Sequence, residues 1–178
     1  MNILILKASG NRRGSSAMLA DEFARGARDA GHTVTEYNLI GKKIGDCIGC
    51  GRCGMAGACV QKDDYEDELK GLIRTTDMLV FAFPVYYYSW PSQAKAVIDR
   101  FYSFTYELTG MRKKAIMLTV AWDSTPESFE IVEAYYDRIC SYMHFQDCGR
   151  VVGIGCGTPD MTRTTDYPAQ AYRLGVSL

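Results

Sequence analysis

The stretch Ile3-Leu4-Ile5-Leu6-Lys7-Ala8-Ser9-Gly10-Asn11-Arg12-Arg13-Gly14-Ser15-Ser16 reads as a strand that runs into a loop that opens a helix. Ile3 to Leu6 is an unbroken aliphatic run, the pattern of a strand covered on both faces, and such strands belong to parallel sheets. From Ser15 the apolar residues Met18, Leu19, Phe23, Ala24 and Ala27 recur at helical spacing. Ser15 or Ser16 is placed to cap this helix and Gly31 to close it.

The same alternation continues down the chain. Further strands are predicted at Thr33 to Leu39, Met78 to Phe83 (ended by Pro84), Lys114 to Val120 and Gly149 to Ile154. Helices are predicted near Tyr65 to Arg74, opening on Asp63-Asp64, and at Ser92 to Phe101. Two more follow, from about Ser128 to Met143 after the turn at Asp123-Ser124-Thr125-Pro126, and at Ala169 to Leu174, ended by Gly175. Strands and helices in strict alternation, without repeat or linker, imply one α/β domain over residues 1–178. The expected architecture is a doubly wound five-stranded parallel sheet in a three-layer α/β/α sandwich. Ligands of such folds sit at the carboxyl ends of the strands.

Composition narrows the function. The 178 residues are 47% hydrophobic and 23% charged, as expected for a folded domain, and the net charge is -1. The 20 Lys and Arg residues are dispersed, so neither nucleic acid nor an anionic membrane surface is an expected partner. The apolar start is too short to span a membrane and lacks the marks of a signal peptide, and a cytoplasmic location is expected. In a reducing compartment, seven cysteines point to metal binding or redox work rather than to a disulfide framework.

Three loops follow strands and are expected to share one edge. The first carries Ser9, Gly10, Asn11, Gly14, Ser15 and Ser16 into a helix start, where N–H donors and the dipole favour a phosphate. It lacks the G-x-x-x-x-G-K-[ST] pattern, which argues against ATP hydrolysis. The second, Pro84-Val85-Tyr86-Tyr87-Tyr88-Ser89-Trp90, places aromatic rings at a strand end; Tyr86 and Tyr87 are expected to face a flat ligand, Tyr88 and Trp90 to pack elsewhere. The third, Ala121-Trp122-Asp123-Ser124, offers Asp123 to the edge of a heterocycle or to an Asx-turn.

The remaining motif is Cys47-Ile48-Gly49-Cys50-Gly51-Arg52-Cys53-Gly54-Met55-Ala56-Gly57-Ala58-Cys59. Its G-x-G-x-x-G neither follows a strand directly nor opens a helix, so it is no dinucleotide fingerprint; the later Gly153-Ile154-Gly155-Cys156-Gly157 fails for want of a third glycine. The spacing Cys47-x2-Cys50-x2-Cys53-x5-Cys59 suits a 4Fe-4S cluster, in which thiolates on a tight turn reach separate corners. Zinc, which takes two widely separated C-x2-C knuckles, suits it less well, and free thiols without metal are the third reading. Cys140, Cys148 and Cys156 read as core residues. His32 and His144 belong to no nucleophilic constellation, and no catalytic residue is assigned. The acidic run Asp63 to Glu68 reads as helix-start charge and a solvated face.

The first loop, Phe83-Pro84-Val85-Tyr86-Tyr87 and the helix Gln93 to Phe101 together resemble the flavodoxin-like NAD(P)H-dependent FMN reductases. With the cysteine loop, the chain resembles their iron-sulfur flavoprotein branch over nearly its whole length. The resemblance implies FMN, its phosphate held by Ser9, Asn11, Ser15 and Ser16 and its ribityl chain and rings flanked by Pro84 to Tyr87 and the region of Asp123. It further implies electrons from NAD(P)H or a ferredoxin-type donor, a small-molecule acceptor, and a homo-oligomer, dimer or tetramer, with Tyr87 to Trp90 as its seam. The chain departs from the family in having Ser9-Gly10-Asn11 for the usual Ser-Pro-Arg; Arg12 or Arg13 is expected to replace the missing cation.

Overall fold

The computed structural model describes every residue from Met1 to Leu178. Its strands are β1 (Asn2–Lys7), β2 (Thr33–Asn38), β3 (Met78–Pro84), β4 (Lys114–Val120) and β5 (Gln146–Gly153). All pair in parallel in the order β2-β1-β3-β4-β5, which confirms the doubly wound five-stranded sheet. The strand order reverses between β1 and β3, and these two neighbours pair from Ile3 opposite Met78 to Lys7 opposite Ala82.

The helices are α1 (Ser15–Asp29), α2 (Lys70–Thr75), α3 (Ser92–Arg100), α4 (Thr105–Gly110), α5 (Glu130–Met143), α6 (Pro159–Arg163) and α7 (Tyr167–Val176). The period-2 alternation of strand side chains divides the core into two layers. Ile3, Ile5, Val80, Ile116 and Leu118 pack with Leu19 and Phe23 of α1 and Ala171 of α7. Leu4, Leu6, Leu79, Phe81, Phe83 and Met117 pack on the other face with Ile73, Val97, Leu108, Val132 and Tyr136. Trp90 belongs to this second layer, its Nε1–H donating to Val132 O at 3.2 Å and its ring 4.3 Å from Phe83. Cys140 is buried and Cys148 half-buried.

Several boundaries differ from expectation. No side chain caps α1: Gly14 is the N-cap, and Ser15 and Ser16 lie buried inside the first turn. Its far end closes as expected, with Gly31 N–H donating to Arg28 O and His32 N–H to Ala27 O, a Schellman motif. The helix expected from Tyr65 begins as a π turn, Tyr65–Leu69, before α2. Beyond α3 the chain continues through a 3-10 turn, Phe101–Phe104, into the unexpected α4. Another 3-10 turn, Pro126–Phe129, delays α5 to Glu130, and α6 is a second unexpected helix.

Candidate functional site

The loops after β1, β3 and β4 meet at one edge of the sheet and enclose a cleft of about 340 Å³ beyond the switch point. Ser9, Asn11, Gly14, Ser15, Ser16, Pro84, Val85 and Tyr86 all line it, as expected from the sequence. The first loop is held by its own short bonds. Asn11 N–H donates to Ser9 Oγ at 3.2 Å, Arg13 N–H to Asn11 Oδ1 at 3.0 Å and Gly14 N–H to Asn11 O at 3.0 Å. These bonds occupy the loop and leave the start of α1 free. With no side-chain cap, the first-turn N–H groups are available to an anion. The Ser15 hydroxyl, buried and without a hydrogen-bond partner, lies in the same wall. An uncapped helix start and an orphaned hydroxyl beside a cleft fit a phosphate-bearing ligand.

Two expected residues are not brought to the cleft. Tyr87 sits at the tip of a two-residue hairpin at φ 48° and is 99% exposed. The Asp123 side chain turns to its own loop, accepting from Ser128 Oγ at 2.5 Å, and that bond holds its carboxyl below the ordinary range. Trp122 takes the wall position instead. Its ring lies so flat against Gly157 that a Cβ there would collide with it. Cys156 is buried in the first core layer, as expected, and also lines the cleft. The contact between Trp122 and Gly157 joins the loops after β4 and β5, and no local pattern signals it. Arg12 lines an adjoining cavity with Lys7 and Glu36, which shares Ser9, Asn11 and Ser16 with the cleft. Tyr88 is exposed and Trp90 buried, which reduces the expected seam to the hairpin tip.

The cysteine loop lies in the connection between β2 and the π turn. Gly49, Gly51 and Gly54 take φ of 65°, 68° and 58°, the left-handed turns that fold it back on itself. Cys47, Cys50, Cys53 and Cys59 line one small cavity of about 20 Å³ together with Arg100 and Ser103. The thiols share this cavity, yet no three of them stand in ligating geometry, so the expected convergence is only partial. Four thiols on one cavity beside a buried cation are a donor set that fits an anionic metal–sulfur group.

The acidic run divides: Asp67 and Glu68 form the solvated face expected, whereas Asp63, Asp64 and Glu66 are half-buried and hold this loop in place. Asp63 accepts from Arg100 Nη1 at 2.8 Å and from Gly45 N–H at 2.9 Å, and Asp64 accepts from Lys43 N–H at 2.7 Å. Glu66 pairs with the buried Lys70, whose ammonium also donates to Gly57 O at 3.1 Å. Burial alone would raise the Asp63 carboxyl, but the Arg100 guanidinium and the Gly45 N–H outweigh it and hold it below the usual range.

A parallel sheet of this order with a polar cleft at its switch point defines a flavodoxin-like α/β protein. The family model described as flavodoxin-like fold matches residues 1–173, and the chain belongs to that family. An iron-sulfur flavoprotein of Archaeoglobus fulgidus is 31% identical over 156 residues, 87% of this chain and 69% of that protein. Another, from Methanosarcina thermophila, is 32% identical over 74 residues, 42% of this chain and 38% of that protein. The resemblance drawn from the sequence is borne out by these relatives. Among solved structures, an NAD(P)H:quinone oxidoreductase from Methanothermobacter marburgensis superposes with a TM-score of 0.76 at 20% identity, over 99% of this chain and 96% of that one. An azoreductase from Bacillus anthracis gives 0.74 at 19% identity over the whole of both chains. At these identities the likeness is one of fold. No helix is long and apolar enough to cross a membrane.

Proposed function

We propose that the chain is an FMN-dependent oxidoreductase that takes electrons from NAD(P)H or a ferredoxin-type donor and delivers them to a small-molecule acceptor in the cytoplasm. The observation that carries this reading is the cleft at the switch point, where the uncapped start of α1 and the orphaned Ser15 hydroxyl await a phosphate. Its wall contains no His, Asp, Glu or Lys. Hydrolysis would lack a general base there, whereas hydride transfer needs none from the protein.

Bound FMN supplies acceptance of a hydride and release of electrons. Ser9, Ser15, Ser16 and the first-turn N–H groups of α1 would bind its phosphate. Val85 and Tyr86 on one loop and Trp122 on another would flank its rings, orient them and exclude water. Cys47, Cys50, Cys53 and Cys59 would hold a 4Fe-4S cluster, which supplies one-electron transfer.

The test is the absorption spectrum of the anaerobically purified full chain offered FMN, followed by steady-state NAD(P)H oxidation with a quinone acceptor. Flavin bands that stay with the protein through gel filtration, and turnover above free FMN, are expected. A colourless protein would refute the cofactor; bound flavin without turnover would leave an electron carrier.

A further inference from the structure

Six buried side-chain polar atoms lack a hydrogen-bond partner in the whole chain, and three of them, Arg100 Nε, Ser103 Oγ and Tyr65 Oη, lie in one corner. Arg100 and Ser103 line the cavity of the four cysteines, and they are 1% and 2% exposed. Tyr65 stands behind them, with its ring 4.6 Å from the Arg100 guanidinium and its hydroxyl beside Ser103.

The rest of the guanidinium is engaged. Nη1 donates to Gly45 O at 2.9 Å and to Asp63 Oδ2 at 2.8 Å, and Nη2 donates to Asp63 Oδ1 at 3.1 Å. Asp63 thus fixes the guanidinium plane and leaves Nε–H as the unused donor of a side chain that lines the cysteine cavity. A buried donor without an acceptor is unfavourable, and its persistence here calls for an acceptor. Sulfur bearing thiolate or sulfide charge accepts such bonds, and donors around it are a main control on the potential of a metal–sulfur group.

We propose that Arg100 and Ser103, with Tyr65 behind them, form a donor shell for the sulfur charge of the metal group held by Cys47, Cys50, Cys53 and Cys59, and that this shell raises its reduction potential. The inference rests on the reading of the loop as a 4Fe-4S site. Reduction adds negative charge to the group, so N–H and O–H donors aimed at it favour the reduced form. Arg100 and Ser103 are positioning residues here, since the cysteines make the bonds to metal.

The experiment reconstitutes the full chain anaerobically with iron and sulfide and measures iron and sulfide content and the midpoint potential by EPR-monitored titration. Wild type is compared with Ser103→Ala and Arg100→Lys. Both variants are expected to take up iron and sulfide as wild type does and to titrate at lower potential. At a fixed ambient potential the reduced-to-oxidised ratio should fall about threefold in Ser103→Ala and about tenfold in Arg100→Lys, the latter a shift of about 59 mV for a one-electron couple. If Arg100→Lys does not fold, Ser103→Ala decides alone, because the Ser103 hydroxyl has no part in the Asp63–Arg100 clamp. Unchanged potentials at full iron content would overturn the donor shell while leaving the cluster reading standing. Failure of wild type to take up iron and sulfide would overturn both.

Discussion

Asp63 is enclosed by donors. Its carboxylate accepts from both terminal nitrogens of Arg100, from Gly45 N–H and, at 3.3 Å, from Glu66 N–H. The pair is buried, with side-chain exposures of 1% and 13%, so each partner needs the other more than a surface pair would. Asp63→Asn leaves the guanidinium without its counter-charge and should lower unfolding stability at pH 7 by about 3 kcal/mol. Because the folded carboxyl titrates below its ordinary value, its contribution is fully present above the unfolded pKa, about 3.9, and is lost as pH falls through the lower folded value. Urea titrations should therefore show wild type and Asp63→Asn far apart at pH 7 and converging towards pH 2; a constant gap would exclude this linkage. Gly157→Ala acts differently, because the added methyl lifts the exposed Trp122 ring from the cleft wall. Thermal stability should hardly change, while FMN binding weakens about fivefold through loss of about 1 kcal/mol of ring contact. Fluorescence titration with FMN checks this, and unchanged affinity would remove Trp122 from the site.

At the scale of elements, the most telling contact is between α1 and α7. A Cβ at Gly26 would collide with Tyr172 O, and one at Gly175 with Phe23 O, so the two helices meet backbone to backbone. Helix propensity alone predicts that Gly26→Ala stabilises by about 1 kcal/mol. Overpacking costs about 1–3 kcal/mol, and here the obstacle is a carbonyl that cannot rotate away, so the upper end applies. The net expectation is about 2 kcal/mol of destabilisation, a fall in Tm of about 4–8 °C; a rise would mean that the helices separate without penalty. This contact was not legible in the sequence, where Gly175 reads only as a helix stop. The strands were, since Ile3–Leu6 and Met78–Phe83 are uninterrupted apolar runs too short for a helix and bounded by turn residues. The π turn at Tyr65 and the 3-10 turn at Phe101 were not, because each carries an apolar face that continues the neighbouring helical spacing. At the site, the phosphate loop was legible from its hydroxyls and glycines, which act locally. Trp122 and the Arg100–Asp63 clamp were not, because their partners lie in distant segments: Gly157 is 35 positions on and Asp63 is 37 positions back.

At the scale of the whole molecule, the Tyr86–Ser89 hairpin raises the question of assembly. Tyr86 and Ser89 exchange both backbone hydrogen bonds at 3.1 Å, which closes a two-residue turn. Its central residues, Tyr87 and Tyr88, have φ of 48° and 62°, where Asn-Gly is the usual occupant. A non-glycine residue in this region costs on the order of 1 kcal/mol or more, and here two tyrosines bear that cost while Tyr87 stays 99% exposed. Two backbone bonds close the turn, but nothing in the protomer covers the Tyr87 ring. Burial of the rings against a second copy of the chain would offset the strain, at about 1.5–3 kcal/mol for a large side chain. The chain is therefore expected to sediment as a homo-oligomer, and the double substitution Tyr87→Asn with Tyr88→Gly should separate two effects. It relieves the turn and should raise protomer stability by about 1–2 kcal/mol, yet it removes the rings and should shift sedimentation velocity profiles towards monomer at micromolar concentration. A stabilised variant with an unchanged sedimentation coefficient would place the oligomer contact elsewhere on the surface, and a wild type that sediments as a monomer would refute the expected assembly.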